Sequence, residues 1–572
     1  IGQSYNEKVI LGLMNPFCEI SPKAWEIINQ DLAEYLTQYG QRQPLWFIIA
    51  FLLAFVVYRV GNWPRYEICH NRLVSFFMRN RLKLLLLVSI FTFCSSILID
   101  KIYLGEIPHV LDSLAHQFQA KVLASGKLYA PIPPEPLDEA LNIQFLQQHD
   151  GKVFSRTMPL FPMLLALAMK MSMVKFLNPF MNGLTLLLLY LTIRKEMGER
   201  YAVIGFLLLA FSPFFIFMGA SMMGHPSSLL CSAMVLYGFS LYLQNKNPHG
   251  LWLVSLGAGL FALERPYSGF VILLPISIVL LASIWCSSES RKERLAHTIL
   301  LALPLLLCLL FLGWYNSQLT GSFWTLPRML TAHYDTPGFG PDKGTPGNPN
   351  GHNAIRGLAN IAIAVAVLSD DLFGWPGLCL VPALVGLLTP FEKRKTLFGN
   401  VVRLTVLLFF FAYFIFHGQG LYFGARYYYC LLPQLLLLTA FGLERLRGKN
   451  GEKTPALSLL LLLLTTSSFL TYFPHRLPIF RAYGGISSDA REVASKFSSS
   501  CVVLLPHGPN LKHMYLSFAS FNCPFLKKGP LFMRDSKKLS DVKLKELLPH
   551  LPEVKRLRFP KEKLLTNESS PK

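Results

Sequence analysis

The sequence predicts a mostly α-helical polytopic membrane protein, with about twelve transmembrane helices, further helices in outer-face loops and a small C-terminal α/β domain. Three observations carry that expectation. Of the 572 residues, 52% are hydrophobic and only 15% charged, too few charges to keep several soluble domains dissolved. Apolar runs close to the ~20 residues that cross a bilayer recur along the chain. Lysine and arginine gather in short clusters between those runs, the pattern of loops sorted across a membrane. The same clustering argues against a nucleic-acid partner, although the formal net charge is +21.

Spans are expected near 44–60, 82–99, 176–193, 201–218, 227–243, 250–264, 267–286, 297–314, 374–390, 400–416, 429–444 and 455–472. The apolar stretches 159–171 and 357–369 are read as interfacial or re-entrant helices, because counting either as a span would scatter the basic clusters over both sides. Arg59, Arg65, Arg72, Arg79, Arg81 and Lys83 lie between the first two spans, and "SRKER" (290–294), "EKRK" (392–395) and "ERLRGKNGEK" (444–453) lie between later ones. Twelve crossings put all four clusters on one side, the cytoplasmic one. The division is then a 1–43 non-cytoplasmic segment, a 44–472 transmembrane unit with outer loops 100–158 and 315–356, and a 473–572 non-cytoplasmic domain. No cleavable leader is expected, since residues 1–43 are mixed polar sequence.

The outer loops differ in kind. "AHYDTPGFGPDKGTPGNPNGHN" (332–353) is rich in Gly, Pro and Asn, and a long irregular loop of this sort is either functional or disordered; if functional, His333 and Lys343 lie where its closure would exclude water from a reaction. The 473–572 segment alternates strand-like "CVVLLP" with helix-like "DVKLKELLPHL", hence the α/β expectation. Ten cysteines show no C-x-x-C pair, which leaves zinc and thioredoxin-type motifs unsupported. Cys501 and Cys523 are either a disulfide or two buried thiols.

Candidate chemistry centres on residues 108–131, "PHVLDSLAHQFQAKVLASGKLYAP". On a helix starting near Asp112, residues 112, 116 and 119 share one face and Leu114, Phe118 and Val122 another. An amphipathic helix lying along the membrane would aim Asp112 at the interface, either as a base meeting a water-soluble acceptor or simply as the helix N-cap. Arg426 in "GARYYY" sits at the outer end of a span, where a guanidinium grips a phosphate or anchors to headgroups while the tyrosines line the interface. Arg265 is a second phosphate candidate or an ion-pair partner of Glu264, and His225 in "MMGHPSS" is a third or merely solvated. Asp370 and Asp371 are weak candidates for a divalent cation, lacking a third ligand.

The 108–131 stretch resembles the first outer loop of the GT-C superfamily of membrane glycosyltransferases, in the branch of protein O-mannosyltransferases and bacterial aminoarabinose transferases. "DGKVFSRTMPLFPMLLAL", "SPFFIFMGASMMGHPSS", "ERPYSGFVILLP", "WYNSQLTGSFWTLP", "DDLFGWPG" and "GARYYYCLLPQLLLLTAFGLERL" resemble bacterial members in the same order, over about residues 100–450. The resemblance implies a mannosyltransferase-like hexosyltransferase that takes sugar from a polyprenyl-phosphate donor and passes it, with inversion, to a glycan, lipid or protein acceptor. It further implies a bacterial inner membrane, a periplasmic active site and no need for a divalent metal. Asp112 matches the first acid of the family's pair and the implied general base. The second position is Ser113, so Asp100 or Glu106 is the candidate substitute, with His109 and His116 on the acceptor side. The rival is a transporter or flippase of a lipid-linked sugar, but the ionisable residues gather at outer span ends and the two halves lack matching broken helices. A degenerate member that only binds lipid-linked sugar is the third possibility, because of Ser113.

Overall fold

A computed structural model describes residues 52–557 apart from 54, 58, 60–63, 345–350, 376, 391–395, 449–453, 507, 509–511 and 537. The 1–43 segment, most of the expected 44–60 span, "EKRK" and part of the 444–453 cluster lie outside the described residues. The chain is an integral membrane protein of mostly helical architecture: among the described residues, eight helices are long and apolar enough to cross a bilayer. They are Arg81–Leu104, Val174–Met197, His225–Asn245, Pro266–Trp285, Arg291–Thr320, Thr396–Phe414, Arg426–Leu446 and Thr454–Gly485. The expected 201–218 span is a helix pair, Glu199–Ala210 and Pro213–Ala220, bent by 53°. The 250–264 run is a shorter apolar helix, Pro248–Ala262. Residues 374–390 differ most from expectation. Turns at Gly374 and Gly377, both at positive φ, leave only the eight-residue helix Val381–Leu388. The 159–171 and 357–369 stretches are the helices Leu160–Lys170 and Ala354–Asp371.

The bend at Phe211–Pro213 has a physical account. Pro213 has no N–H to continue the helix, so carbonyls near the break need donors from elsewhere. Thr92 donates to Ala210 O, before the break, at 3.0 Å, while Ser96 and Asn182 brace the second half-helix through Ile216 O at 3.1 Å and Phe215 O at 3.0 Å. Ser212 caps the second half-helix by accepting from Phe215 N. Where that half-helix ends, Asn178 Nδ2 binds Ser221 O at 2.6 Å and Met223 O at 2.9 Å, fixing the short turn that delivers His225 to the start of its helix.

Two small sheets stand outside the helical unit. In the loop after Leu104, β1 (Ala130–Pro131), β2 (Leu146–His149) and β3 (Lys152–Ser155) form an antiparallel sheet in the order β1-β3-β2. Towards the C-terminal end, β4 (Cys501–Leu505), β5 (Leu531–Arg534) and β6 (Glu553–Arg556) form a parallel sheet in the order β5-β4-β6, interleaved with helices Lys512–Ala519 and Asp541–Leu547. Cys501 and Cys523 are separate free thiols.

The helix Leu111–Ala124 joins these parts, and here the structure corrects the expectation of an amphipathic helix lying along the membrane. Leu114 packs with Val503 and Phe518 of the parallel-sheet region. Val122 packs with Ala130 and Val153 of the outer-loop sheet, and Ala120 with Phe161 and Leu165 of the Leu160–Lys170 helix. Lys121 Nζ donates to Ser520 O and to Asn522 O at 2.9 Å, offering its charge to carbonyls just past the end of the Lys512–Ala519 helix. A helix buried on three sides is held by packing and has no broad face left for lipid.

Cysteines placed at exposed Ser290 and at exposed Asp150, in a cysteine-free background, are expected to react with an impermeant thiol reagent from opposite sides of the membrane. Reaction of both from one side would overturn the assignment of sides.

Candidate active site

Asp112 is the second residue of the Leu111–Ala124 helix. Val110 occupies the N-cap position and makes no side-chain cap bond, so Asp112 is not the N-cap. Its carboxylate instead accepts a hydrogen bond from Arg426 Nη1, at 2.7 Å from Oδ2. The arginine side chain is 10% exposed and the aspartate 28%. Burial opposes the charge of Asp112, but Arg426, with His116 and Arg265 beyond it, outweighs burial and holds the carboxyl below its ordinary range. Asp112 is therefore ionised at neutral pH.

Arg426 reaches this carboxylate because the preceding loop folds back over itself. Its N–H donates to Gly420 O at 2.9 Å and Gly424 O at 2.8 Å. Gly420 and Gly424 have φ of +66° and +107°, and a Cβ at either would strike an aromatic ring, Tyr427 or Phe214. Tyr483 OH accepts the N–H of Phe423 at 2.6 Å and fixes the loop from the far side. The guanidinium lies over the rings of Tyr422 and Tyr427, at 4.7 and 5.4 Å. The expectation that Tyr427, Tyr428 and Tyr429 line the membrane interface holds for none of them in the simple form. Tyr427 stacks under the arginines, and Tyr428 and Tyr429 are core residues.

Arg265 completes a cationic cluster with Arg426, and a neutral His225 stands beside it. Arg265 lies over Tyr427 at 5.5 Å and donates through Nη2 to His225 Nε2. An arginine has no acceptor, so His225 is neutral at Nε2 and carries its proton on Nδ1, which points a donor away from Arg265. His116 stands one turn after Asp112, edge-on to Phe161 at 5.1 Å. Burial lowers its imidazole to about 4, with the two arginines adding to the effect and Asp112 opposing it. Glu264 is drawn off to a structural task, accepting the Phe161 N–H at 2.9 Å at the start of the Leu160–Lys170 helix. Three buried nitrogens of the cluster, Arg426 Nε, His225 Nδ1 and His116 Nδ1, have no hydrogen-bond partner among the described residues. Two guanidiniums, one with a buried N–H that nothing accepts, and two partnerless ring nitrogens beside one carboxylate make a binding place for an anionic oxygen group.

The other candidate residues stand elsewhere. Ser113, at the family's second acidic position, is 1% exposed and donates to Met223 Sδ at 2.8 Å. Asp100 lies in the last turn of the Arg81–Leu104 span, and Glu106 pairs with Arg491. His109 is buried, with Nε2 2.8 Å from Leu104 O and Nδ1 3.3 Å from Tyr483 O, so both ring nitrogens face backbone. Asp370 and Asp371 diverge. Asp370 accepts the Gly377 N–H at 2.8 Å, whereas Asp371 accepts from Tyr472 and lies 3.7 Å from Arg476. Among the described residues, no three His, Cys, Asp or Glu side chains converge as a metal site requires.

Part of the sequence is similar to a known family, and the fold is similar to that of solved membrane proteins. The family described as dolichyl-phosphate-mannose-protein mannosyltransferase matches residues 158–314, a stretch that contains His225 and Arg265. Among solved structures, ArnT from Cupriavidus metallidurans bound to undecaprenyl phosphate aligns with a TM-score of 0.50 at 11% identity, covering 83% of this chain and 90% of that one. The Archaeoglobus fulgidus oligosaccharyltransferase in its apo form aligns with a TM-score of 0.42 at 11% identity, covering 76% of this chain; the present chain spans only 64% of that one. No curated protein matches the sequence.

Breaking the central pair from one side leaves a largely buried carboxylate without its partner. Arg426→Met is expected to lower unfolding stability in detergent by about 3 kcal/mol, and Asp112→Asn added to it to restore most of the loss. Strictly additive effects in this cycle would contradict the coupling.

Proposed function

We propose that the protein is a glycosyltransferase that moves a sugar from a polyprenyl-phosphate-linked donor to an acceptor on the periplasmic face of a bacterial cytoplasmic membrane. The observation that carries this is the cluster itself: Arg426, Arg265 and three partnerless buried nitrogens around the Asp112 carboxylate, beside span ends. A lipid phosphate approaching along the membrane would meet those N–H groups, while Asp112 stands on the extramembrane helix where an acceptor arrives. The structure of the similarly folded ArnT, which holds undecaprenyl phosphate, supports the same class of lipid for this chain.

The chemistry then runs as one displacement with inversion. The acceptor hydroxyl oxygen attacks the anomeric carbon from the side opposite the phosphate. As the new C–O bond forms, the bond from that carbon to the phosphate oxygen breaks, and its electron pair leaves with the polyprenyl phosphate. Arg426 and Arg265 stabilise the charge gathering on the phosphate, more strongly in a site shielded from water than in solution. Asp112 takes the acceptor's proton, a contribution of about 100- to 10,000-fold. The donor's phosphate also competes with Asp112 for Arg426, so donor binding loosens the ion pair and raises the basicity of the carboxylate just when a base is needed.

Asp112→Asn preserves size and removes the base. The variant is expected to lose some stability, because Arg426 is left without its partner, and its folded fraction to transfer sugar at least about 100-fold more slowly. It should bind undecaprenyl phosphate at least as tightly as the parent, because Arg426 no longer has a competing anion. Near-parental turnover of the purified variant would remove Asp112 from the chemistry. Arg426→Lys keeps the charge but loses the planar two-point grip, so donor affinity should fall while folding persists; unchanged affinity would take Arg426 out of the site.

A further inference from the structure

A second cationic cluster lies in the outer loops, outside the site already described. Arg328, in the turn Pro327–Leu330, reaches Asp335 Oδ2 at 2.9 Å, and His417 Nε2 lies 2.9 Å from Asp335 Oδ1. Arg156 follows β3, lies on the ring of Phe145 at 3.5 Å and adds its charge to the same neighbourhood. Two guanidiniums and an imidazole thus stand about Asp335, with Arg328 and His417 bonded to its carboxylate. Burial works against Asp335's charge, yet His417, Arg328 and Arg156 keep its carboxyl below the ordinary range, so it is already committed.

The loop could be pinned by the Arg328–Asp335–His417 contacts alone, but the donors exceed what pinning uses. Arg328 Nε is buried with no hydrogen-bond partner among the described residues. Buried guanidinium N–H groups without acceptors are costly, so this surplus marks a place for a further anionic oxygen group. Its position relative to the first cluster is fixed by aromatic rings. His417 lies on Phe416 at 4.7 Å, Phe416 packs against Tyr427 at 5.9 Å, and Tyr427 lies beneath Arg426 and Arg265.

We propose that Arg156, Arg328 and His417 form a second anion site, for a phosphate or carboxylate carried by the acceptor. The assignment to the acceptor rests on the proposal that the first cluster holds the donor's phosphate. On this account the acceptor is an anionic molecule, held by its charge while a hydroxyl is presented to Asp112.

The test uses full-length protein in detergent, saturated with undecaprenyl phosphate and titrated calorimetrically with inorganic phosphate. Phosphate is expected to bind alongside the lipid without displacing it. Arg156→Gln, which leaves the Arg328–Asp335–His417 contacts intact, and Arg328→Gln should each weaken phosphate binding at least 10-fold while changing lipid affinity less than two-fold. Phosphate that displaces the lipid means that the anion belongs to the donor position, and overturns the proposal. So does the absence of phosphate binding, or parental phosphate affinity in both variants. Failure of the lipid itself to bind would instead sink the donor reading, and a phosphate affinity still lost in Arg156→Gln would keep the second site as an anion site.

Discussion

The hydrogen-bonded ion pair between Asp112 and Arg426 ties together residues 314 positions apart in sequence and two parts of the molecule with different surroundings. One partner rides on a helix wedged between the membrane unit and two small sheets, and the other heads a span. Taking both charges away from water is expensive, and the pair alone returns little net stability. Its rigidity comes from outside the pair. The loop before Arg426 is closed by its own backbone bonds and by Tyr483, and the helix bearing Asp112 is held on three sides by Leu114, Ala120 and Val122.

From that constraint the rest of the site follows. With Asp112 and Arg426 fixed, Tyr427 is placed beneath both arginines, and Arg265 fixes the tautomer of His225. His225 in turn depends on a turn held by Asn178, whose donor bonds exist because the helix before it is broken and has ended. The broken helix is therefore part of how the site is built: it ends a span early and lets a loop bring a ring nitrogen to the cluster.

Much of this was legible in the residues. Long apolar runs marked the eight helices that, among the described residues, are long and apolar enough to span, because a bilayer demands length and leaves a one-dimensional trace. Asp112, His116, His225, Arg265 and Arg426 were each singled out by type and by their place at span ends, and the structure brings all five into one neighbourhood. What stayed hidden depends on contacts between distant segments. The alternation of polar and apolar positions around Asp112 suggested a surface helix, since periodicity records which faces are apolar and not how many partners cover them. At 374–390 the run was apolar enough for a span, and the paired positive-φ glycines that break it give no hydropathy signal. His109 and Asp371 looked like chemistry, yet backbone carbonyls claim the one and Tyr472 and Arg476 adjoin the other. The Arg328–Asp335–His417 contacts lay within a Gly- and Pro-rich loop and the segment before Arg426, where spacing alone says nothing of what meets.

The central claim is that the Asp112–Arg426 pair gives way to a lipid phosphate at this position. A structure of the protein with undecaprenyl phosphate bound reads it directly. The account predicts a phosphate oxygen within hydrogen-bonding distance of the Arg426 guanidinium, with Arg265 or His225 also in reach and the contact to Asp112 lengthened. Phosphate density elsewhere on the membrane unit, with Arg426 still held on Asp112 at its present distance, would contradict it.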